Sequence, residues 1–409
     1  MPKRERNNRL RYMGLGAYTA LGAWATVQVA SAVTGLDDTT LVDALEEPPP
    51  GGGEWPLVSI IVPARNEERN LPRLLPSLLE QRYPNYEVIV VDDQSEDSTL
   101  QILQSWAERD KRLRVVSGKP LPREEGWLGK PHAMHQGAEQ AKGEWLLFTD
   151  ADSFHEQQAL PTTMHYALAN NSDLLTIFPH YELVTPSERL VMPVVFMGIL
   201  TLYPPRKVLD PKSKVAIANG QYILIKRDVY TAVGGVSSVK GQIVEDLEFG
   251  KVVKQAGYRL CIINGRQLMK VRMYTNLREI WEGWSKNIVL SFRTNPFSGF
   301  LTVFGLFALA FMPGILVRRT TRAWQRAGIS GRKDDRLFAG WQALITTWIL
   351  GNQLFYRRKV DTMLGLPIGW TFTQPVGALL LAAIVASSAV NIARGRGVTW
   401  KGRTYAGRG

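Results

Sequence analysis

Hydrophobic runs along this chain change period several times, and those changes lay out its elements. Val58-Ser59-Ile60-Ile61-Val62-Pro63 is a continuous apolar run, suited to a strand buried on both faces. Leu71, Leu74, Leu75, Leu78 and Leu79 then recur at helical spacing. Tyr86 to Val91 reads as a second strand, Leu100 to Ala107 as a second helix and Leu113 to Val116 as a third strand. Trp145-Leu146-Leu147-Phe148-Thr149 and Tyr222 to Ile225 are further strands, and Asp246 to Ala256 a further helix. Strands alternating with helices of these lengths predict an α/β domain, a mostly parallel sheet with helices on both faces.

Four longer apolar segments flank that domain: Met13 to Leu36, Gly299 to Val317, Phe338 to Tyr356 and Pro375 to Ala393. Crossing a bilayer takes about 20 apolar residues. The third and fourth segments meet that requirement. The first is rich in small residues and carries Gln28, and the second is expected to break at Pro313-Gly314. The predicted organisation is a basic, apolar, membrane-associated segment over 1–36 and a Pro/Gly-rich flexible linker over 37–55. An α/β domain over 56–295, membrane segments within 296–393 (299–317, 338–356 and 375–393) and a basic tail over 394–409 follow. The alanine-rich start continues without a clear cleavage site, so a signal peptide is not expected. Inside the α/β domain, Ser187 to Leu209 is strongly apolar. It reads either as a core helix or as a helix dipping into the bilayer edge.

Charge sharpens this picture. The 409 residues carry a net +12. The stretches 1–12, 318–336, 357–370 and 393–409 alone hold 20 Lys/Arg against 4 Asp/Glu, so the rest of the chain is mildly acidic. Basic residues beside apolar segments suit anionic lipid headgroups. A nucleic-acid surface would spread them across the folded domain, and no nucleic-acid partner is expected. A single cysteine, Cys261, excludes an intrachain disulfide.

The candidate chemistry lies at strand ends. Glu67 follows the first strand, Asp92 and Asp93 the second, and Asp150-Ala151-Asp152 the strand that ends at Thr149. In a parallel sheet those ends share one edge, where α/β proteins bind ligands. Asp150 and Asp152 can offer two carboxylates to one Mg²⁺ or Mn²⁺, which usually shares its remaining sites with phosphate oxygens. Helix capping accounts for Asp97 or Ser98, but not for doubled acids at two strand ends. His132 and His135 would share a helix face. A zinc site wants four ligands and no third His or Cys is near, so zinc is not expected. His155, His165 and His180 read as structural.

Five ordered pieces resemble the motifs of family 2 glycosyltransferases, which have the nucleotide-sugar-binding fold called GT-A. They are Val62-Pro63-Ala64-Arg65-Asn66-Glu67, Val91-Asp92-Asp93-Gln94-Ser95-Glu96-Asp97-Ser98-Thr99, Gly129-Lys130, Asp150-Ala151-Asp152 and Glu245-Asp246, within roughly 56–290. Gly126-Trp127-Leu128-Gly129-Lys130-Pro131 and Val244-Glu245-Asp246-Leu247 are most similar to membrane-bound members that glycosylate carotenoids and hopanoids, such as the chlorobactene glucosyltransferases. The resemblance implies that Pro63, Asn66, Glu67, Asp93, Lys130 and Asp150 bind a UDP-sugar, with Glu67 and Asp93 accepting hydrogen bonds from uracil and ribose. It implies that Asp152, with Asp150, ligates a divalent cation (Mg²⁺ or Mn²⁺) that steadies the departing UDP. Asp246 would be the general base of an inverting transfer. Asn219, Gly220, Gln221, Glu245, Trp281, Trp284 and Lys286 would face the acceptor.

Plainer readings stand beside these. Glu245 and Asp246 suit the start of any helix, Lys130 a solvated loop, Asn219-Gly220 an ordinary turn, and Trp281 with Trp284 a helix at a membrane interface. The chain lacks the Gln-x-x-Arg-Trp signature of polymerising members. That absence favours transfer of one sugar. The resemblance implies a UDP-sugar donor and, as acceptor, a hydroxyl of a membrane lipid such as a carotenoid. Glucose is the sugar the resemblance implies, while no motif separates it from galactose or mannose. A synthase of an exported polysaccharide, a glycosyltransferase with a ceramide-like acceptor, and a non-catalytic UDP-sugar-binding membrane scaffold are the alternatives. The intact Asp150, Asp152 and Asp246 count against the scaffold.

Topology carries a conflict. If all four apolar segments crossed, the positive-inside rule would place the N-terminus and 318–336 inside and the sugar-binding domain outside, where nucleotide sugars are absent. The expectation is a multi-pass membrane protein whose catalytic domain faces the cytoplasm. The first two segments would return to or lie along that face, and Arg357-Arg358-Lys359 would lie in an outer loop.

Overall fold

The computed structural model describes residues 3–34, 53–294, 296–394, 398–400 and 403–405. Residues 37–52 of the linker read over 37–55, and most of the basic tail, fall outside them. The strands are β1 (Val58–Ala64), β2 (Tyr86–Asp92), β3 (Leu113–Ser117), β4 (Trp145–Phe148), β5 (Ser153–His155), β6 (Leu174–Phe178), β7 (His180–Tyr181), β8 (Ile223–Lys226), β9 (Leu260–Asn264) and β10 (Met269–Val271), with a hairpin of β11 (Val398–Trp400) and β12 (Arg403–Tyr405) near the end. The helices are α1 (Lys3–Val33), α2 (Leu71–Leu79), α3 (Thr99–Arg109), α4 (Gly129–Gln140), α5 (Ala159–Ala169), α6 (Pro186–Leu202), α7 (Pro205–Leu209), α8 (Arg227–Ala232), α9 (Glu245–Gln255), α10 (Leu277–Thr294), α11 (Pro296–Ser330), α12 (Lys333–Met363) and α13 (Gln374–Ala393).

The main sheet runs in the order β3-β2-β1-β4-β8-β6-β9. β1 pairs in parallel with β2 and β4, β2 with β3, and β6 with β9. Only β8 is reversed, antiparallel to both β4 and β6. β5, β10 and β7 form a small second sheet. Alternation along β1 assigns its residues to two layers. Ile60 and Val62 pack with Leu71, Leu74 and Leu78 of α2 and with Leu160 and Met164 of α5. Ile61 faces the other way, onto Ala133 and Met134 of α4 and Phe249 and Val253 of α9. Covered on both faces, β1 reads as the unbroken apolar run seen in the sequence. α4 lies close on β1 because Gly137 has no side chain; a Cβ there would come within 2.5 Å of Ile61.

α6 settles the two readings of the apolar stretch after Ser187. Val191 to Met197 are all buried. A reciprocal capping box starts the helix, with Thr185 accepting from the Glu188 amide and Glu188 from the Thr185 amide. One face of α6 joins the core of the sheet, and the C-terminal helices cover the other. Tyr356 Oη donates to the Met197 carbonyl at 2.6 Å. Gly377 of α13 passes so near the Leu190 carbonyl that a Cβ would lie 2.1 Å from it. α6 is a core helix shared by both parts of the molecule.

α1 runs parallel to α12. Arg11 pairs with Asp335 at 2.9 Å near one end, and Gly22 abuts Trp348 further along. α11 returns antiparallel to α12, with Thr320 and Thr346 hydroxyls 2.9 Å apart. The end holding Arg11, Arg332 and Asp335 is thus distal, while Ala32, Val33, Tyr356 and Val360 join the core of the sheet domain.

Two expectations fail in this region. α11 continues unbroken through Pro313-Gly314. Proline removes the amide that would bond the Leu309 carbonyl, and the Gln353 side chain of α12 donates to that carbonyl instead, at 3.1 Å. Gln353→Leu is expected to cost about 1–3 kcal/mol by orphaning that carbonyl, read as a lower Tm in detergent. An unchanged melt would mean that the carbonyl needs no protein donor. Arg357-Arg358-Lys359 do not form an outer loop. They lie inside α12, and Arg357 is fully buried with its guanidinium 2.8 Å from Asp361, which also accepts from Thr371.

Among the described residues, two helices are long and apolar enough to cross a membrane, Phe300–Ser330 and Ile368–Asn391. The 338–356 segment, read from the sequence as a good span, does not qualify. The first of the two is only 11% buried within the molecule, and Phe300, Phe304, Phe307 and Phe311 stand exposed along it.

Candidate active site

The parallel pairing brings the strand ends together. Ala64 at the end of β1 is level with Asp92 at the end of β2, and Phe148 of β4 is level with Ile61. Beyond these ends the chain turns sharply, with Asn66 and Gln94 both at positive φ (53° and 57°). The two turns are laced together. The Asp93 amide donates to the Ala64 carbonyl at 2.7 Å, the Glu96 amide to Asn66 Oδ1 at 2.9 Å, and Arg65 to the carbonyls of Asp93 and Gln94.

A cavity of about 260 Å³ opens at this edge. Of the residues singled out from the sequence, Pro63, Glu67, Asp93, Lys130, Asp150, Asp152, Asn219, Gln221, Glu245, Asp246 and Lys286 line it. Gly220 supports it from behind, its amide donating to Asp246 Oδ2 at 2.9 Å. Asn66, Trp281 and Trp284 do not line it. Asn66 ties the two turns, while Trp281 and Trp284 pack against the core, Trp284 Nε1 pointing at Met192 Sδ. Arg65, Met273, Tyr274, Gly283 and Asn287, which the sequence does not single out as site residues, also line it. Arg65 sits inside a quoted motif. Met273 and Tyr274 lie between β10 and α10, where an apolar pair before a helix looks like ordinary core.

The Asp150-Ala151-Asp152 turn is fixed from beneath. Thr149 Oγ1 donates to the Gln221 carbonyl at 2.8 Å and lies 3.0 Å from His155 Nε2. Ser153 Oγ donates to the Asp150 carbonyl at 2.7 Å and lies 3.1 Å from the same nitrogen. Burial pushes His155 down to about 3, so the imidazole stays neutral. His132 and His135 flank Trp127, at ring distances of 5.5 and 5.0 Å. Among the described residues, no three His, Cys, Asp or Glu side chains gather into a metal site.

Charge in the cavity centres on Lys130. Its Nζ lies 2.7 Å from Asp150 Oδ1 and 2.9 Å from Glu245 Oε1. Burial opposes its charge, but the carboxylates of Asp150, Glu245 and Asp246 hold it well above the ordinary lysine range. Burial, and then the Glu245 charge, pushes Asp246 up to about 6, against the pull of Lys130 and of the Gly220 and Leu247 amides. A carboxylate with that affinity for a proton, fixed by two amides, is suited to general-base work near neutral pH.

Comparison with known proteins agrees with this arrangement. Residues 59–234 match the model of glycosyl transferase family 2. A 4,4'-diaponeurosporenoate glycosyltransferase of Staphylococcus haemolyticus is 28% identical over 236 residues, which are 57% of this chain and 61% of that protein. Its namesake in Staphylococcus aureus is 30% identical over 241 residues, 56% of this chain and 60% of that one. The chain thus spans less than two thirds of the length of these curated relatives. A solved mannosyltransferase from Pyrobaculum calidifontis, in complex with GDP-Man and Mn²⁺, is similar with a TM-score of 0.50 at 19% identity, over 83% of this chain and 97% of that one. At that identity the likeness is one of fold. Strand-end motifs converging on one cavity, a mostly parallel sheet and the match over residues 59–234 agree with one another: that stretch is similar to glycosyl transferase family 2, and its fold is GT-A-like.

Proposed function

We propose that the protein transfers one sugar, glucose, from a UDP-sugar to a hydroxyl of an apolar membrane acceptor of the carotenoid class, with inversion at the anomeric carbon. The observation that carries this reading is that Glu67, Asp93, Asp150, Asp152 and Asp246, far apart in sequence, line one cavity. Glu67 and Asp93, both nearly buried, accept hydrogen bonds from the nucleoside. Asp246 takes the proton from the acceptor hydroxyl as it attacks. Met273, Tyr274 and Gly283 close the wall and limit access of water. The names of the curated relatives support a carotenoid acceptor, and the apolar helices beside the domain support a membrane-borne one.

Asp150 and Asp152 offer hard carboxylate donors one residue apart on the cavity wall, a donor set that fits Mg²⁺ or Mn²⁺ once phosphate oxygens complete it. Such a cation, when bound, would neutralise charge on the leaving nucleotide. α11 and α13 anchor the chain, with the cavity facing the cytoplasm.

Purified protein given labelled UDP-glucose, Mn²⁺ and a carotenoid or polyprenol acceptor should release UDP and form a labelled glycolipid. EDTA should suppress both. Glycolipid formation undiminished by EDTA would remove the cation from the reading, and no transfer from any nucleotide sugar would remove the reading itself.

A further inference from the structure

Lys130 stands where a cation would have to arrive. Its ammonium is 2.7 Å from Asp150, one of the two carboxylates suited to a metal, and 2.9 Å from Glu245 at the start of α9. Gly220 leaves room for this bridge, since a Cβ at that position would sit 3.1 Å from Lys130 Nζ and 2.9 Å from Asp246 Oδ2. The lysine side chain remains about a third exposed, at 33%, so a ligand entering the cavity can reach it. Without Asp150, a cation has one carboxylate of the pair left, too few to hold a hard divalent ion against water.

We propose that Lys130 occupies the Asp150 carboxylate until a donor diphosphate draws its ammonium away, so that the divalent cation enters the cavity only together with the nucleotide. This rests on the cation reading above. The diphosphate does two things at once: it gives the ammonium a more highly charged anion to pair with, and it supplies the oxygens that the two carboxylates lack. Binding of cation and nucleotide is then strongly coupled, and the coupling passes through one side chain.

The test measures free Mn²⁺ by electron paramagnetic resonance on the full chain in detergent, with and without UDP. Wild type should bind Mn²⁺ weakly alone and tightly with UDP. Lys130→Met should bind Mn²⁺ about tenfold more tightly in the absence of UDP, roughly the weight of one charge-assisted hydrogen bond. Removing a positive charge alone would favour a cation, and unpaired carboxylates could upset folding. The double variant Lys130→Met/Glu245→Gln therefore keeps the net charge of the cluster while freeing Asp150. It should show the same tightening, with a wild-type melting profile. Nucleotide-free affinity in the double variant equal to that of wild type overturns the gate while leaving the cation reading intact. No Mn²⁺ binding by any of the proteins, even with UDP, overturns both.

Discussion

Asp246→Asn is expected to lower sugar transfer by about 10²–10⁴-fold, the weight of a positioned general base, while leaving the protein at least as stable as wild type. Both halves come from the same surroundings. Burial and Glu245 push the carboxyl up to about 6 from 3.8, so the folded state holds this proton more tightly than the unfolded chain does. The stability that follows is fully present below pH 3.8 and is lost as pH rises through about 6. At neutral pH the ionised carboxylate is therefore a cost to the fold, which the neutral amide removes. A rise in Tm of about 1–3 °C is expected for a chain of this size. Transfer by the wild type should fall as pH drops through about 6, because the base must be ionised to accept a proton. Labelled-glycolipid assays and melts on the same preparations test both parts. Near-wild-type turnover in the variant would remove Asp246 from the reaction, and a marked fall in Tm would show that the carboxylate supports the fold.

Gly220→Ala should be nearly as damaging, for steric reasons. The added Cβ would sit 2.9 Å from Asp246 Oδ2, 3.2 Å from Asp246 Cβ and 3.1 Å from Lys130 Nζ. The 2.9 Å contact forces the Asp246 carboxylate to move, and the 3.1 and 3.2 Å contacts press on the lysine and on the stem of the same carboxylate, so the two charged groups leave their present positions. A displacement of about 1 Å in a reacting group can cost on the order of 100-fold in rate, and that is the expected fall in kcat. Circular dichroism should remain that of wild type, since the position lies in a loop between Asn219 and β8 and its neighbours in the core are untouched. Turnover within a few-fold of wild type would mean that the cavity yields easily at this point.

The strand-end acids were legible in the sequence because the topology leaves them little choice. Parallel strands end on one edge, so Glu67, Asp93, Asp150 and Asp152 had to be near one another. The family motifs added Asp246 and Lys130 from outside that logic. What the sequence hides depends on contacts between distant residues. Met273 and Tyr274 look like core until the segment before α10 and residues of α10 itself are brought to the cavity wall. Pro313-Gly314 reads as a break because the donor that rescues the Leu309 carbonyl, Gln353, lies on the next helix. Arg357-Arg358-Lys359 resembles a loop by charge alone. Asp361, four residues on, was the clue that Arg357 could be paired and buried within a helix.

The position of α6 has a practical and evolutionary corollary. Val191 to Met197 are covered partly by the sheet domain and partly by α12 and α13. A fragment truncated after α10 would turn that sealed seam into a greasy surface, and precipitation or chaperone capture would follow. The sheet domain and the apolar C-terminal helices therefore share one core through α6, and neither can be cut away without redesigning the helix between them.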